Sequence, residues 1–369
     1  MHLSRLRLSD FRNFEEQRLE IPPPGAAVTG DNGQGKSNLL EAIYYLEVFR
    51  SFRGAPDDQL IRFGAEVFRI EGRLASQDGA ESSLSAAFQR QGRRKKVIVD
   101  GVEPERVSDA VGRLGAVLFS PSDLEIVSGP PGQRRRFLDI VLSLSVQGYL
   151  AVLQRYRQVL ARRNAALREG APAPVVSAWN RGLVSHGAVL TVARAGWVRG
   201  QAEEFAASYA RVSGGESGEM RYRASLGEGS ADATLAEVEE KFRQQLLERA
   251  GQEASRGATV VGPHRDDLAI SCGERDLRTF GSGGQRRTAA VALRMVEAET
   301  VKRARGLEPL VLLDDVFAEL DPGRSERLLA WIEEGSGQVI ATAPKPGDFE
   351  PRKGGLPRFS VSAGVLREL

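Results

Sequence analysis

A glycine-rich stretch near the N-terminus, followed by lysine and serine, holds the residues best suited to chemistry. In order, the residues are Gly30, Asp31, Asn32, Gly33, Gln34, Gly35, Lys36 and Ser37. Glycines at this spacing let backbone N–H groups turn inward around phosphate oxygens, the lysine adds a full charge, and the serine hydroxyl can bind Mg²⁺. The stretch predicts a site for a nucleoside triphosphate, ATP, with Mg²⁺; the alternative is a glycine-rich turn with an exposed lysine.

Two neighbouring acids follow an apolar run late in the chain. Residues 310–313 are all apolar, and Asp314 and Asp315 come directly after them. Such a run is typical of a buried parallel strand, and ligands gather at the carboxyl ends of these strands. We expect Asp314 to help hold Mg²⁺ and Asp315 to orient or deprotonate the attacking water, so that both join Lys36 as catalytic residues. The alternative is a solvated turn after a core strand.

A third polar segment opens a stretch of helical periodicity. It consists of Ser282, Gly283, Gly284 and Gln285. A Ser-Gly-Gly sequence at a helix N-terminus can bind an anion, although a hinge or a simple N-cap has the same composition. The order of segments along the chain makes it informative: phosphate loop, long insert, Ser-Gly-Gly-Gln, double acid, then Asp321.

The pattern around these segments predicts an α/β protein with a helical insert. Short apolar runs at 26–29, 259–261, 310–313 and 339–341 predict strands, and helices are predicted to begin near Ser37, Gln285 and Ser325. Residues 66–119 alternate in a way that predicts a β-rich subdomain, whereas 134–254 show helical periodicity and almost no strand. We therefore predict that residues 1–121 and 256–369 are halves of one α/β domain and that 122–255 are an inserted helical domain.

Composition narrows the class of protein. Lys and Arg number 51 against 49 Asp and Glu, a net charge of +2, so composition alone does not indicate a nucleic-acid binder. No apolar run approaches the roughly 20 residues of a spanning helix. The single Cys272 and three widely spaced histidines offer no metal-ligand spacing, so we predict no zinc site and a cytoplasmic protein.

Several unusual strings occur in one order along almost the whole chain. They are FRNF at 11–14, FSPSDL at 119–124, RRRFLD at 134–139, GPHRDD at 262–267 and LLDDVFAELD at 312–321. With these strings the sequence resembles the ABC-type ATPase heads and, within them, the structural-maintenance-of-chromosomes group. It is more similar still to the RecF family of bacterial recombination-repair ATPases.

The resemblance implies a fold and an assembly. The fold would be an ABC-type ATPase head, a P-loop NTPase with a mixed sheet, a β-rich subdomain and an inserted helical domain. Two copies would face each other head to tail. Lys36, Ser37 and Asp314 of one copy would hold ATP and Mg²⁺. The other copy would contact the same nucleotide through Ser282, Gly283, Gly284 and Gln285, with Asp321 near the interface; Arg12 and Asn13 would lie near the nucleotide.

The resemblance also implies partners and a reaction. The partners would be double-stranded and gapped DNA and a RecR-type mediator that helps load recombinase in DNA repair and replication. We expect slow hydrolysis, because Asp315 stands where transporter-type heads usually place the longer glutamate. The switch histidine usual after the 339–341 strand is missing, with Thr342 and Ala343 in its place, and no glutamine loop is found near Ser120.

Two basic clusters are candidate contacts for the DNA backbone. They are Arg93, Arg94, Lys95 and Lys96, and Arg134, Arg135 and Arg136. Solvation of a hairpin or helix face is the alternative explanation of such clusters. The polar segment 264–267 is either an element near the nucleotide or a capped turn with local ion pairs.

Two other classes of protein use similar nucleotide motifs. A transporter motor subunit fits poorly with a helical insert of well over a hundred residues and with the basic clusters. A monomeric phosphoryl-transfer kinase leaves residues 282–285 unexplained and predicts ATP binding without dimerisation.

Overall fold

A computed structural model describes residues 1–76, 79–227, 229–345 and 355–369. These residues form two compact units: unit 1 is Met1–Asp123, Arg211–Gly214 and Ala290–Leu369, and unit 2 is Leu124–Ala210 and Gly215–Ala289. The predicted boundary at 121 lies two residues before the first division. The boundary predicted at 255 differs from the later division after Ala289, because residues 267–272 pair with a strand inside the insert.

Unit 1 contains a six-stranded sheet that is parallel except at one edge. Its order is β14-β13-β3-β12-β11-β7. The strands are β3 (Gly25–Thr29), β7 (Ala116–Phe119), β11 (Leu310–Asp314), β12 (Val339–Ala343), β13 (Arg358–Ser362) and β14 (Val365–Glu368). Every residue of β3, β7, β11 and β12 is buried, as expected for parallel strands covered on both faces. The strands predicted at 26–29, 310–313 and 339–341 are therefore confirmed.

A second, antiparallel sheet of unit 1 has the order β2-β1-β4-β5-β6. Its strands are β1 (His2–Phe11), β2 (Phe14–Glu20), β4 (Val67–Ala75), β5 (Glu81–Gln89) and β6 (Arg94–Val99). Apolar residues of its inner face share one core with helix α1 (Lys36–Val48). For example, Phe68 lies edge-on to Phe11 and Tyr45, with ring centroids 5.3 and 5.4 Å away. The β-rich subdomain predicted from residue 66 thus also recruits the first two strands.

Unit 2 is mainly helical. Its helices are α2 (Leu124–Ser128), α3 (Pro131–Ser145), α4 (Tyr149–Arg168), α5 (Ala173–Ser177), α6 (Asn180–Gly200), α8 (Leu235–Glu248), α9 (Ala250–Arg256) and α10 (Leu277–Phe280). Helices α7 (Ala202–Ser213) and α11 (Gly283–Arg305) each pass from one unit to the other, and α12 (Pro322–Glu334) belongs to unit 1. Among the described residues, no helix combines the length and apolarity that crossing a membrane requires.

Two details of unit 2 correct the sequence interpretation. A three-stranded sheet is present, with β8 (Gly218–Arg223), β9 (Asp267–Cys272) and β10 (Arg275–Asp276); of these, only the short β8 falls in the stretch 134–254, where almost no strand was expected. Buried and exposed residues alternate along β8, and the matching alternation of Met220 and Tyr222 with charged residues is visible in the sequence. The strand predicted at 259–261 is not formed. Instead, Asn164 and Glu253 side chains accept the N–H groups of Thr259 and Val260.

The polar segment 264–267 lies in a buried network of unit 2. His264 Nδ1 lies 2.7 Å from the Tyr156 hydroxyl, and burial lowers the pKa of His264 to about 4, so the ring stays neutral. Asp266 is fully buried and accepts hydrogen bonds from the Tyr222 hydroxyl at 2.5 Å and the Ser225 N–H at 2.6 Å. Buried polar groups satisfied in this way fix a unique packing. The segment therefore has a structural role in unit 2.

Candidate nucleotide site

The phosphate loop follows β3 directly and ends where α1 begins. Gly35 has φ of +121°, and a Cβ there would lie 2.8 Å from the Asn13 side-chain amide, so only glycine fits. The Lys36 side chain is 3% exposed, and its Nζ donates to the Gly30 carbonyl at 2.8 Å. The loop thus ends at a helix N-terminus that the Gly35 N-cap leaves without a side-chain cap, and it surrounds the buried ammonium of Lys36. This is the arrangement that binds phosphate.

The turn between β1 and β2 braces this loop. Asn13 donates through Nδ2 to the Gln34 carbonyl at 2.8 Å and accepts from Asn38 at 2.8 Å. Arg12 instead forms a two-point ion pair with the buried Glu41 on α1, at 2.8 and 3.0 Å. The two residues predicted to lie near the nucleotide are therefore in contact with the loop or its helix. Asn13 touches the loop, and Arg12 anchors the turn to α1.

The two acids lie at the carboxyl end of β11. Asp314 is 6% exposed, and burial raises its pKa, opposed mainly by a hydrogen bond from the Ser37 hydroxyl. Asp315 Oδ2 lies 3.6 Å from Lys36 Nζ, and its φ of +48° is unusual for a residue other than glycine. Lys36, Ser37, Asp314 and Asp315 therefore converge on one point at this edge of the sheet, as the spacing predicted.

Thr342, on β12, contacts both acids and was missed as a site residue. Strand β12 lies between β3 and β11, and Thr342 is paired in register with Asp314. Its hydroxyl accepts the Asp315 N–H at 3.1 Å and lies 3.3 Å from Asp314 Oδ1 and 3.1 Å from Asp315 Oδ1. The threonine at the position of the missing histidine therefore fixes the orientation of both carboxylates.

We expect Thr342→Val to lower the rate of ATP hydrolysis about tenfold while ATP affinity stays near that of the wild type. The change keeps the shape but leaves the Asp315 N–H without its acceptor, at a cost of about 1–3 kcal/mol. Steady-state kinetics should show the loss in kcat rather than KM, and Thr342→Ser should restore the rate. Equal activity of the valine and serine variants would show that the hydroxyl does not position the acids.

Arg53 is a second residue that the sequence interpretation missed. Its positive charge lowers the pKa of Asp314, in opposition to burial. Its Nη1 also donates to Asn38 Oδ1, on α1, at 3.1 Å. Arg53 therefore adds positive charge at the start of α1. Tertiary contacts set its position, because Ser51, two residues earlier, is buried and donates a hydrogen bond to Glu41.

The Ser-Gly-Gly-Gln segment lies in unit 2 at the start of α11. The Gln285 N–H donates to Ser282 Oγ at 3.2 Å, and the Ser282 N–H donates to Gln285 Oε1 at 3.1 Å, so the two residues cap the helix reciprocally. Ser282 and Gly283 are exposed, as is Phe280 just before them, at 69%. This helix N-terminus is therefore exposed.

Asp321 and the basic clusters have defined local environments. Asp321 caps α12 by accepting the Arg324 N–H at 3.1 Å. Arg134 is buried and bonded to Asp267 at 2.6 and 3.0 Å, and Lys95 Nζ bonds Asp57 and the Phe49 carbonyl, both at 2.7 Å. Arg134 and Lys95 each form an ion pair within the protein, so neither remains a candidate contact for DNA. Four others lie partly or fully exposed: Arg93, Arg94, Lys96 and Arg136.

Arg135 is also partly withdrawn from solvent. Its Nη1 donates to the Asp266 carbonyl at 2.8 Å, beside the buried network of unit 2. Two of the three arginines at 134–136 thus anchor α3 within unit 2, through Asp266 and Asp267, which a count of charges along the sequence does not reveal.

A phosphate loop after β3, paired acids after β11 and a Ser-Gly-Gly helix start define an ABC-type ATPase head. The sequence matches the family described as RecF/RecN/SMC N terminal domain over residues 2–353. The DNA replication and repair protein RecF of Halalkalibacterium halodurans is 36% identical, with 100% of both chains covered. That of Symbiobacterium thermophilum is 38% identical, over 91% of this chain and 89% of the relative. The chain belongs to the RecF family, within this wider family.

Solved structures agree with the fold. A structure of the recombination mediator protein RecF with ATP, in the RecFOR pathway, has a TM-score of 0.91 and 30% identity over 100% of this chain and 97% of that one. An Smc head bound to the C-winged helix domain of ScpA has a TM-score of 0.56 at 15% identity, a similarity of fold alone. The predicted ABC-type head is confirmed, and none of these matches supports the transporter interpretation.

Proposed function

We propose that this protein is an ATP-dependent DNA-binding ATPase of DNA replication and recombinational repair. The observation that carries the proposal is the convergence of Lys36, Ser37, Asp314 and Asp315 at the carboxyl edge of the parallel sheet. RecF relatives described as DNA replication and repair proteins, and a similar structure described with ATP, support it. ATP is the nucleotide we assign to the loop.

The donor set fits Mg²⁺. A buried carboxylate, Asp314, lies in hydrogen-bond contact with the Ser37 hydroxyl, and both present oxygen ligands. Among the described residues, no group of three His, Cys, Asp or Glu side chains could hold a metal alone. Mg²⁺ commonly uses one or two protein oxygens together with phosphate oxygens, whose charge it neutralises. In this assignment Asp315, 3.6 Å from Lys36, orients or deprotonates the attacking water.

Two copies of the chain complete each site. The exposed N-terminus of α11 offers N–H groups and the Ser282 hydroxyl to the γ-phosphate held by the loop of the second copy, with Asp321 near the same interface. ATP then acts as the contact that joins the copies. The dimer holds double-stranded DNA at gaps or single-strand/double-strand junctions and, with a RecR-type mediator, promotes recombinase loading. Slow, DNA-dependent hydrolysis resets it, in keeping with the short Asp315 base.

Ser282→Arg tests the shared site. The arginine is expected to leave ATP binding within about twofold of the wild type, because Ser282 belongs to the second copy's contact. Dimerisation with ATP should be lost, since the long side chain fills the space of the γ-phosphate contact. Sedimentation with ATP checks this, with Ser177→Arg on α5 as a control that adds the same charge. Normal ATP-dependent dimers of Ser282→Arg would contradict the shared site.

The same measurement separates the alternatives. A monomeric kinase binds ATP without dimerising, and the sedimentation of a transporter motor subunit is not expected to change with duplex DNA. ATP-dependent dimers that are further stabilised by duplex DNA are expected only of the proposed function.

A further inference from the structure

The register of the five-stranded sheet gathers basic side chains onto one face. Residues directly opposite each other on neighbouring strands point to the same side of a sheet. Arg5 lies opposite Arg73, Ser9 opposite Arg69, and Ala87, which also faces Arg69, opposite Lys96. The basic face defined by this register carries Arg5, Arg7, Arg18, Arg69, Arg73, Arg94 and Lys96, with the acids Glu16, Glu20, Glu71 and Glu81.

The inner side of the sheet leaves no room for these charged side chains. Its positions are filled by buried apolar residues, among them Leu6, Ile70, Leu84 and Val97. Strand alternation also splits the basic cluster of β6: Lys95 points to the inner side and Lys96 to the outer. The side chains of Arg18, Arg69 and Lys96 are 69%, 60% and 60% exposed.

The charges of the basic face are unbalanced. Seven basic residues stand against four acids, in a chain whose totals are 51 and 49, and Lys96 has a further acidic neighbour in Glu103, 3.7 Å away. The acids are shared: Glu16 lies 3.2 Å from both Arg7 and Arg18, and Glu71 lies 3.7 Å from Arg7 and 3.9 Å from Arg69. Within the described part of the chain, Arg73 and Arg94 have no ion pair. The face therefore carries an excess of positive charge.

We propose that the basic face binds the phosphate backbone of duplex DNA; this rests on the proposed function and adds a location to it. Five strands about 4.8 Å apart make the face roughly 19 Å wide, enough to meet several phosphates of a duplex. A cavity of about 400 Å³, lined by four arginines and two glutamates, gives the backbone a recess; the lining residues are Arg5, Arg7, Arg18, Arg73, Glu20 and Glu71. Exposed ion pairs are weak because water screens them, so the arginines can exchange a glutamate partner for a phosphate. The contact reads backbone and not base sequence.

The test removes four charges at once from the full-length protein. Arg18, Arg69, Arg73 and Arg94 are all changed to Gln, and binding to a duplex of mixed sequence is measured with ATP and Mg²⁺ over a range of salt concentrations. The slope of log affinity against log salt should become shallower by about 3 to 4, since each phosphate contact contributes about 0.9. ATP binding should be unchanged, because the loop lies on the other sheet.

Two further variants make the result specific. Changing the same four residues to Lys keeps the charges and should keep the slope, which separates charge from folding. Changing Arg113, Arg249, Arg256 and Arg367 to Gln removes four exposed charges elsewhere and should leave the slope near that of the wild type. A full slope in the first variant, as expected if the face docks an acidic protein, overturns the location alone. Absence of duplex binding by the wild-type protein overturns the proposed function itself.

Discussion

Lys36→Ala is expected to abolish measurable ATP binding, with a loss of affinity greater than about 100-fold. The Lys36 ammonium is buried, and its contacts are two loop carbonyls and Asp315, so it faces the space that the loop encloses. Removing a buried charge that pairs with an anion costs about 3 kcal/mol or more, and each 1.4 kcal/mol is tenfold in affinity. Isothermal titration with ATP and Mg²⁺ measures the change.

The matched control for this variant is Lys302→Ala on α11. Lys302 is 44% exposed and pairs with Glu308 at 2.7 Å, so its loss removes a surface charge without touching the loop. Its ATP affinity should equal that of the wild type. Unchanged affinity in a folded Lys36→Ala protein would be incompatible with phosphate binding by residues 30–37.

Asp315→Asn is expected to slow ATP hydrolysis by about 100-fold to 10,000-fold, the range that a general base contributes. The amide keeps the size of the side chain and an oxygen for the Thr342 hydroxyl, 3.1 Å from the acid, but it cannot accept a proton from water. Binding of ATP should persist, because Lys36 and Asp314 remain. Single-turnover measurements separate binding from hydrolysis.

The control for the acid is Asp232→Asn, which removes a carboxylate that is 78% exposed in unit 2. This variant should hydrolyse ATP at the wild-type rate. Undiminished hydrolysis by Asp315→Asn would exclude Asp315 as the base and would leave the neighbouring Asp314 carboxylate as the candidate.

The sequence located those parts of the site that lie within single segments. Residues 30–37 and Asp314 with Asp315 each carry their signal locally, as glycine spacing or as acids after an apolar run. Thr342 could not be found in this way, because its role depends on β12 lying between β3 and β11, a pairing of strands about 300 residues apart in sequence for β3. The Ser37 contact with Asp314 depends on the same packing.

Charged residues show the limits of sequence reasoning most clearly. Lys95 and Lys96 are neighbours in one basic run, but β6 sends one to Asp57 inside and the other to solvent. Arg134 looked like its neighbours and is buried against Asp267. The converse also holds: Arg5, Arg18 and Arg73 are separate along the chain, and only strand pairing brings them to one face.

Sedimentation velocity of the Asp315→Asn protein, with and without ATP and Mg²⁺, tests most directly whether two copies share each nucleotide. Because this variant is expected to hydrolyse ATP very slowly, the ATP-bound assembly should accumulate. We expect a monomer without nucleotide and a dimer with ATP, shifted further by duplex DNA. A monomer at saturating ATP, both with and without DNA, would contradict a site completed by Ser282 of a second copy.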